Sequence, residues 1–335
     1  MIFGKEIYLQ TLSTIIMKVL VTSSSFQGTP GTHVQRLLQT GFDITFLKGP
    51  VPAVELLQII SDFDALLCGD DEITADVLVK GNQGNLKYIS KYGVGVDNID
   101  VAKAKELGIP ITNCPGVNNI TVAELVFALL LSFSRNIHLE YNITKGGGWQ
   151  KLTGFDLYNK TIGIIGLGAV GKEVAKRAVA FGLKVLVTTA HPNHEYIGQQ
   201  GYTLCKNILD LVAMADIITL HVPLTNETKG LINNAFIQYA KPKAVIINTS
   251  RGGLVEPEAI AKGLQEGKIS GYLADVLDVE PMPENYLLKD LPNVLITPHI
   301  GSRTYETVER QGVMAVENLI NMAEGNIDGY RNHLV

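Results

Sequence analysis

The sequence predicts an α/β protein with two doubly wound parallel sheets. Three observations lead to this prediction: short β-branched segments alternate with amphipathic segments, the alternation occurs in two separate series, and a glycine-rich turn lies near the start of the second series. Strand, helix, strand at this rhythm is typical of parallel sheets joined by right-handed crossovers. The 335 residues are enough for about two domains of roughly 150 residues each.

The composition suits buried sheets and argues against several classes of function. Only 18% of the residues are charged and 33 are glycine, as expected for sheets covered on both faces. Lys and Arg number 28 against 33 Asp and Glu, and the resulting net charge of −5 argues against a nucleic-acid partner or docking on an acidic membrane. Cys68, Cys114 and Cys205 are far apart in apolar segments, which indicates buried thiols in a reducing compartment rather than disulfides or a metal site.

No segment has the properties of a membrane span or a signal peptide. The longest apolar segment, residues 122–133, contains Glu124 and is shorter than the roughly 20 residues that a bilayer requires. Residues 1–16 include Glu6 and lack a small-residue cleavage site, and a more ordinary start follows at Met17. These residues are therefore interpreted as an extension outside the fold, and a cytoplasmic protein is expected.

The first series of elements begins at residue 18. Its strands are predicted at 18–23, 43–47, 65–69, 88–92 and 109–113, and its helices at 32–40, 73–80 and 100–107. A longer helix is then expected to begin near Thr121, whose hydroxyl would cap it with Glu124 in the capping-box position. This helix would run to about Lys145 and end at the glycines 146–148.

The second series follows these glycines. Its strands are predicted at 161–166, 184–189, 202–205, 216–222, 244–250, 269–276 and 294–299. The last helix, at about Glu306–Glu324, comes after this series has ended.

The glycine-rich turn follows the first strand of the second series. Gly166, Gly168 and Gly171 form the pattern G-x-G-x-x-G between a buried strand and a helix. The first glycine allows a tight turn, the second lets the backbone approach a pyrophosphate, and the third lets the helix pack against the strand. The phosphates would lie at the positive end of the helix dipole. The sequence therefore predicts a dinucleotide site.

The end of the next strand bears on which dinucleotide binds. An acidic residue is expected about 20 positions after the turn to hold the adenosine ribose. Here the strand ends in Thr188 and Thr189, and no Asp or Glu follows before Glu195. No carboxylate would repel a 2′-phosphate, and both hydroxyls and His191 could donate to one, although no Arg is close in sequence. The pattern favours NADP or dual use over strict use of NAD.

Three chemically active residues lie just beyond predicted strands. Arg251 and His299 follow buried strands directly, and Glu280 lies five positions after Asp275. Ligands of open α/β sheets bind outside the carboxyl ends of the strands, so one crevice could gather all three. A histidine can exchange a proton with a carbonyl oxygen, a neighbouring carboxylate can fix its tautomer, and an arginine can grip a carboxylate. Spacing alone leaves each of them open to an ordinary loop role, as it does His221 at another strand end.

The motifs around these residues resemble the D-isomer-specific 2-hydroxyacid dehydrogenase family, in the branch similar to D-3-phosphoglycerate dehydrogenase. The resemblance extends from Met17 nearly to the end of the chain. The matching segments are 91–100 (KYGVGVDNID), 113–116 (NCPG), 121–124 (TVAE), 166–171 (GLGAVG), 221–225 (HVPLT), 248–253 (NTSRGG), 274–276 (ADV), 280–281 (EP) and 297–301 (TPHIG).

The resemblance implies a role for each of these residues. It implies that Arg251 binds the substrate carboxylate, that His299 is the general acid/base, and that Glu280 is its partner. The backbone of Gly93, Val94 and Gly95 would also hold the substrate carboxylate. The implied cofactor contacts are Thr121, Gly166, Gly168, Ala169, Val170, Gly171, Thr188, Thr189, His221, Val222, Pro223, Thr249, Ser250, Asp275, His299 and Ser302.

The resemblance also implies a domain organisation. Residues 1–117 and 302–335 would form a flavodoxin-like substrate domain, interrupted by a Rossmann NAD(P)-binding domain of residues 118–301. A homodimer joined through the dinucleotide domain is expected. The long apolar helix near 121–145 is then either an interface element or an internal core helix. Because the chain stops after the last helix, no C-terminal regulatory domain is expected.

The expected activity is the NAD(P)-dependent interconversion of a small 2-oxo acid and a D-2-hydroxy acid. Three consecutive carboxylates disfavour 3-phosphoglycerate as the substrate, because Asp70, Asp71 and Glu72 would repel its phosphate. The other interpretation of this loop is a solvated segment turned away from the substrate. The alternative function is a dinucleotide-sensing, corepressor-like interaction protein of the same fold. Formate oxidation is disfavoured, because the family relative that oxidises formate pairs its histidine with Gln rather than with a carboxylate such as Glu280.

Overall fold

The computed structural model describes residues 16–326 and residue 334, which form two compact units. Unit 1 contains the described residues up to Pro115 and those from Val308 onwards. Unit 2 consists of Gly116–Thr307.

Unit 1 is built on a five-stranded parallel sheet. The strands are β1 (Lys18–Val21), β2 (Asp43–Phe46), β3 (Ala65–Cys68), β4 (Tyr88–Lys91) and β5 (Ile111–Thr112). They lie in the order β2-β1-β3-β4-β5 and pair in parallel throughout. This is the flavodoxin-like order, with its switch point between β1 and β3.

The helices of unit 1 that precede its last strand are short. They are α1 (Ser24–Gly28), α2 (Thr32–Leu38), α3 (Ala53–Ile59), α4 (Ala75–Gln83) and α5 (Val101–Leu107). Side-chain oxygens begin several of them, as when Asp100 accepts a hydrogen bond from Lys103 N at 2.9 Å at the start of α5. Apolar residues of β1, β3 and β4, including Leu20, Leu66 and Ile89, are fully buried and form the core together with these helices.

Unit 2 is built on a seven-stranded parallel sheet. The strands are β6 (Thr161–Ile165), β7 (Lys184–Thr188), β8 (Thr203–Leu204), β9 (Ile217–Leu220), β10 (Ala244–Asn248), β11 (Ile269–Ala274) and β12 (Val294–Ile296). Their order is β12-β11-β10-β9-β6-β7-β8, with all pairings parallel. This is the Rossmann order extended by one strand. The predicted fold class is confirmed in both sheets.

Helices cover both faces of this second sheet, and each face has its own apolar core. The helices that follow β5 in the chain are α6 (Asn119–Ser134), α7 (Ile137–Lys145), α8 (Ala169–Ala180), α9 (His194–Gln199), α10 (Ile208–Met214), α11 (Asn234–Tyr239), α12 (Pro257–Gln265) and α13 (Tyr305–Ala323), of which α13 lies mainly in unit 1. The chain returns to unit 1 within α13.

The structure corrects the prediction of one capped helix from Thr121 to Lys145. The helix begins at Asn119, and the chain then bends by 62° between α6 and α7. Asn136 has a left-handed φ of 56° at the bend, a conformation that Asn tolerates better than most residues. Thr121 does not cap the helix, because its hydroxyl is hydrogen-bonded to that of Thr307 at 2.5 Å. Glu124 pairs instead with Arg177 at 3.5 Å.

Two further observations concern the described residues as a set. Among them, no single helix is long and apolar enough to cross a membrane, and α6 and α7 reach the required length and composition only as a bent pair. In the same part of the chain, no group of three or more His, Cys, Asp or Glu side chains is placed to hold a metal ion.

Candidate active site

The glycine-rich turn between β6 and α8 has the geometry that its sequence predicts. Gly166 has a φ of +100°, and a Cβ there would lie 2.3 Å from the carbonyl oxygen of His221. A Cβ on Gly171 would lie 2.1 Å from the carbonyl oxygen of Gly166. Gly168 differs, because a Cβ there would meet no atom within 4 Å. The backbone at Gly168 therefore borders open space, as close approach to a pyrophosphate requires.

The first turn of α8 provides hydrogen-bond donors for this space. Lys172 N donates to the carbonyl oxygen of Gly168 at 3.0 Å, and no side chain caps the helix. The amides of Ala169 and Val170 donate no hydrogen bond to any residue that the structure describes. Uncapped amides at the positive end of a helix dipole form an anion site, so this turn fits a dinucleotide pyrophosphate.

The end of β7 presents neutral hydroxyls. Thr188 and Thr189 are half-buried, and neither hydroxyl has a hydrogen-bond partner within the described residues. The nearest acidic residue later in the sequence, Glu195, bonds to Gln199 in the same helix at 3.1 Å. His191 is exposed beside this strand end. These donors fit a ribose hydroxyl and would not repel a 2′-phosphate.

The loop after β10 holds Arg251. Asn248 braces this loop, since its side chain accepts from Ser250 N at 3.1 Å and donates to the carbonyl oxygen of Arg251 at 2.8 Å. Gly252 allows the next turn, because a Cβ there would lie 1.9 Å from the backbone of Leu277. The hydroxyl of Thr249 is buried and has no hydrogen-bond partner among the described residues.

The structure brings His299 and Glu280 into contact. His299 Nδ1 and Glu280 Oε2 are 2.8 Å apart, and both side chains are a little more than one-third exposed. Leu277 N donates to the other carboxylate oxygen of Glu280 at 2.8 Å, which fixes the orientation of that carboxylate. The predicted partnership of an imidazole and a carboxylate is therefore present as a hydrogen-bonded pair.

Asp275 holds the turn that carries His299. Its carboxylate accepts from Thr297 Oγ1 at 2.6 Å, from Ile300 N at 2.8 Å and from Gly301 N at 2.8 Å. His299 itself has a left-handed φ of 53°, which the surrounding hydrogen bonds maintain. Burial raises the pKa of Asp275 above its ordinary value, while these hydrogen bonds oppose the shift. Sequence reasoning assigned Asp275 to the cofactor, and the structure adds this bracing role, which depends on contacts 22 or more residues away.

His221 lies in a different environment from His299. Burial lowers the pKa of His221 to about 3, so its imidazole is neutral at physiological pH. Its Nε2 lies 2.9 Å from the hydroxyl of Thr219. Of these two strand-end histidines, His299 has the carboxylate partner that acid/base chemistry needs.

The remaining predicted cofactor residues of unit 2 lie at the same edge of its sheet or next to it. Val222 and Pro223 follow β9, and a Cβ on Gly166 would lie 2.9 Å from Val222. Ser250 donates to the carbonyl oxygen of Leu220 at 2.7 Å. Ser302 follows the turn whose amides bond to Asp275, and it is half-buried.

In unit 1, the loop after β4 contains three successive backbone amides without an acceptor among the described residues. Gly93 has a φ of +147°. Its carbonyl accepts from Cys114 N at 2.8 Å, and that of Val94 accepts from Asn113 Nδ2 at 2.7 Å. The amides of Gly93, Val94 and Gly95 donate to no acceptor in the described part of the chain. These amides are therefore candidate donors to an anionic group of a ligand.

The three neighbouring carboxylates of unit 1 have different environments. Asp71 is buried and accepts from the Thr22 hydroxyl, from Val51 N at 2.7 Å and from Gly69 N at 2.9 Å. Glu72 accepts from Ala53 N at 3.1 Å at the start of α3. Only Asp71 is withdrawn from the surface, whereas Asp70 and Glu72 are exposed.

Sequence reasoning missed the partner of Asp70. Lys91, the last residue of β4, is 3% exposed and donates to Asp70 Oδ1 at 2.9 Å. The sequence signal for this ion pair was a lysine inside a predicted buried strand, because a buried ammonium needs a specific acceptor.

The fold and site together define a class of protein: a two-unit α/β chain with a dinucleotide-binding turn and a paired histidine and carboxylate at strand ends. The chain belongs to the D-isomer specific 2-hydroxyacid dehydrogenase family. Its residues 127–301 match the family model for the NAD-binding domain.

Sequence alignments with related proteins cover most of this chain. A D-3-phosphoglycerate dehydrogenase of Methanocaldococcus jannaschii is 40% identical over 276 residues, covering 82% of this chain but 52% of that protein. The chain thus spans about half the length of that relative. A glyoxylate reductase of Thermofilum pendens is 40% identical over 294 residues, covering 83% of this chain and 84% of the relative. A hydroxypyruvate reductase of Thermotoga maritima is 41% identical over 275 residues, covering 79% and 86%.

Solved structures have the same architecture. The apo-structure of D-lactate dehydrogenase from Escherichia coli aligns with a TM-score of 0.84 at 28% identity, covering 95% of this chain and 100% of that one. A protein from Thermus thermophilus aligns with a TM-score of 0.86 at 36% identity, with the same two coverages.

Proposed function

We propose that this protein is an NAD(P)-dependent oxidoreductase that interconverts a small 2-oxo acid and a D-2-hydroxy acid. The hydrogen bond of 2.8 Å between His299 and Glu280 carries the proposal, because proton exchange at a carbonyl oxygen needs an oriented imidazole. Membership of the family and relatives named glyoxylate reductase and hydroxypyruvate reductase support the same reaction. Unit 2 is proposed as the dinucleotide domain and unit 1 as the substrate domain.

The residues divide the chemistry between them. Glu280 engages Nδ1 of His299, so Nε2 exchanges the proton with the substrate oxygen, giving it during reduction and taking it during oxidation. Glu280 also stabilises the imidazolium that forms in the oxidative direction. Arg251 binds the substrate carboxylate and polarises the adjacent carbonyl, and the amides of the Gly93–Gly95 loop provide further donors. The bound nicotinamide supplies or accepts the hydride.

Unit 2 has the groups to hold the cofactor. The amides around Gly168 would bind the pyrophosphate, and the unpartnered hydroxyl of Thr249 would bind near the nicotinamide end. Thr188 and Thr189 would bind the adenosine ribose, and their neutral donors favour NADP or dual use. A cytoplasmic location is proposed with this function, in keeping with three free cysteines that are all buried.

A homodimer through unit 2 is part of the proposal. Helix α7 buries none of its residues, and two of its large apolar side chains, Ile137 and Tyr141, are 54% and 61% exposed. Trp149, just beyond its end, is 84% exposed. Apolar surface on this scale is typical of an interface, and a second copy of the chain is the proposed occupant.

The first test is an assay of the purified protein with NADH and NADPH. The substrates are glyoxylate, hydroxypyruvate, pyruvate, branched 2-oxo acids and 3-phosphohydroxypyruvate, and chiral analysis identifies the product. We expect a D-2-hydroxy acid, a loss of roughly 10²–10⁴-fold in kcat for His299→Ala, and a smaller loss for Glu280→Gln. Turnover that His299→Ala leaves unchanged would refute the assigned acid/base. Cofactor binding with no turnover of any acid would favour the corepressor-like alternative.

A further inference from the structure

We propose that the ion pair of Asp70 and Lys91 is a specificity element that restricts the substrate to 2-oxo acids with an uncharged distal group. The inference rests on the proposed function, because it assumes that the Gly93–Gly95 loop binds the substrate carboxylate. It adds a residue pair that acts on the rest of the substrate.

The first step is the position of Lys91. Its side chain is 4% exposed, and its ammonium donates to the carbonyl oxygen of Gly69 and to Asp70 Oδ1. A Cβ on Gly93 would lie 3.1 Å from Lys91 Cε and 3.7 Å from Nζ. The ammonium therefore lies directly against the loop whose three amides have no acceptor among the described residues. A substrate anchored on those amides is within a few ångströms of this charge.

The second step is the sign of the charge that a substrate meets. The Asp70 side chain is 68% exposed, whereas that of Lys91 is almost fully covered. Asp70 thus neutralises the ammonium and presents its own carboxylate outward. A substrate phosphate carries a charge of roughly −1.5 to −2 at neutral pH and would be repelled, whereas a hydrogen atom or a hydroxymethyl group would not.

The third step separates Asp70 from its neighbours. Asp71 is buried and accepts from backbone amides, so removing it would disturb the fold, whereas Glu72 is exposed and accepts from Ala53 N rather than from Lys91. Asp70 is exposed and can be changed without opening the core. Its removal would also leave the Lys91 ammonium without its carboxylate partner, which predicts a gain towards a doubly charged substrate rather than a simple loss.

The experiment compares kcat/KM for hydroxypyruvate and for 3-phosphohydroxypyruvate, which differ by the phosphate alone. We expect the wild type to prefer hydroxypyruvate and Asp70→Asn to shift the ratio towards the phosphorylated acid by roughly tenfold at low ionic strength, with a smaller shift at high salt. The matched control is Asp43→Asn, which makes the same charge change at the amino end of the same sheet. We expect the control to keep the wild-type ratio.

The outcomes separate this inference from the proposed function. A wild type that prefers the phosphorylated acid, or an Asp70→Asn ratio equal to that of the control, would overturn the specificity role while leaving the oxidoreductase intact. Turnover of no 2-oxo acid by the wild type with either cofactor would overturn both.

Discussion

At the scale of single residues, the site depends on groups whose function appears only in three dimensions. The sequence is sufficient to nominate His299, Glu280 and Arg251, because each follows a strand end and the motifs around them are specific. It does not show that Asp275 braces the turn around His299, because that role needs the chain to return after 22 or more residues. It likewise does not show that Asp71 alone of three adjacent carboxylates is buried, since the amide of Val51 that engages it comes from another loop.

Asp275→Asn tests this bracing role through its dependence on pH. Burial raises the pKa of Asp275 in the folded protein above its unfolded value, so the folded state binds the proton more tightly. The contribution of this group to stability is therefore present at low pH and is lost as pH rises through the raised pKa. The variant lacks this titration, and its NH₂ group would face Gly301 N–H, which costs about 1–3 kcal/mol. We expect the variant to be less stable, and the deficit to be larger near pH 4 than at pH 7.

Urea unfolding of the wild type and Asp275→Asn at both pH values measures this difference in the free energy of unfolding. Asp43→Asn, in which an exposed aspartate is changed, is the control. A deficit in stability that is larger at pH 7 than at pH 4 would contradict a raised pKa of Asp275 in the folded protein. A kcat that falls together with stability would agree with misplacement of His299.

At the scale of elements, regular strands were predictable and irregular helix geometry was not. Every predicted strand is present, because β-branched runs between turns identify buried parallel strands. The predicted helix from Thr121 to Lys145 is two helices, since the apolar pattern continues through the left-handed turn at Asn136. The hydroxyl of Thr121 bonds to Thr307, a residue too distant in sequence to be anticipated as a partner. The helices α1 and α3 were not predicted, and length alone does not explain this for α3, which is as long as the predicted α2 and α5.

The glycine turn and helix α8 support a paired prediction at this scale. Gly168→Ala should leave the melting temperature nearly unchanged, because its φ is −75° and a Cβ meets no atom within 4 Å. The added methyl group would instead occupy the space proposed for the pyrophosphate, and we expect the Kd for NADH and NADPH to rise about tenfold or more. Gly166→Ala should lower the melting temperature, since its Cβ would lie 2.3 Å from a carbonyl oxygen.

Thermal unfolding and fluorescence titration of the two variants separate these effects. Unchanged cofactor affinity in a stable Gly168→Ala would contradict the assignment of the pyrophosphate to this turn.

At the scale of the whole molecule, each unit has the parallel sheet that its sequence series predicted, and the second unit carries exposed apolar surface. The alternation of strands and helices predicts parallel pairing, whereas the flavodoxin-like and Rossmann orders were implied by the family resemblance. Surface association does not follow from periodicity, because an apolar helix has the same pattern whether its partner is internal or a second copy. Helix α7 buries none of its residues, whereas α6 buries half of its residues, so the proposed interface is placed on α7.

This contrast predicts the effect of charges placed on the exposed surface around α7. We expect the wild type to have about twice the mass of one 36.4 kDa chain, and a variant with Ile137→Glu and Trp149→Glu to shift to the monomer. Both side chains are more than half exposed, so the isolated fold should tolerate the charges, whereas an interface would have to desolvate them. Val54→Glu is the matched control, because Val54 is 68% exposed but lies in unit 1. Light scattering after size exclusion gives the masses. A monomeric wild type would contradict the proposed interface. A dimer that the double variant retains and Val54→Glu disrupts would place the interface in unit 1.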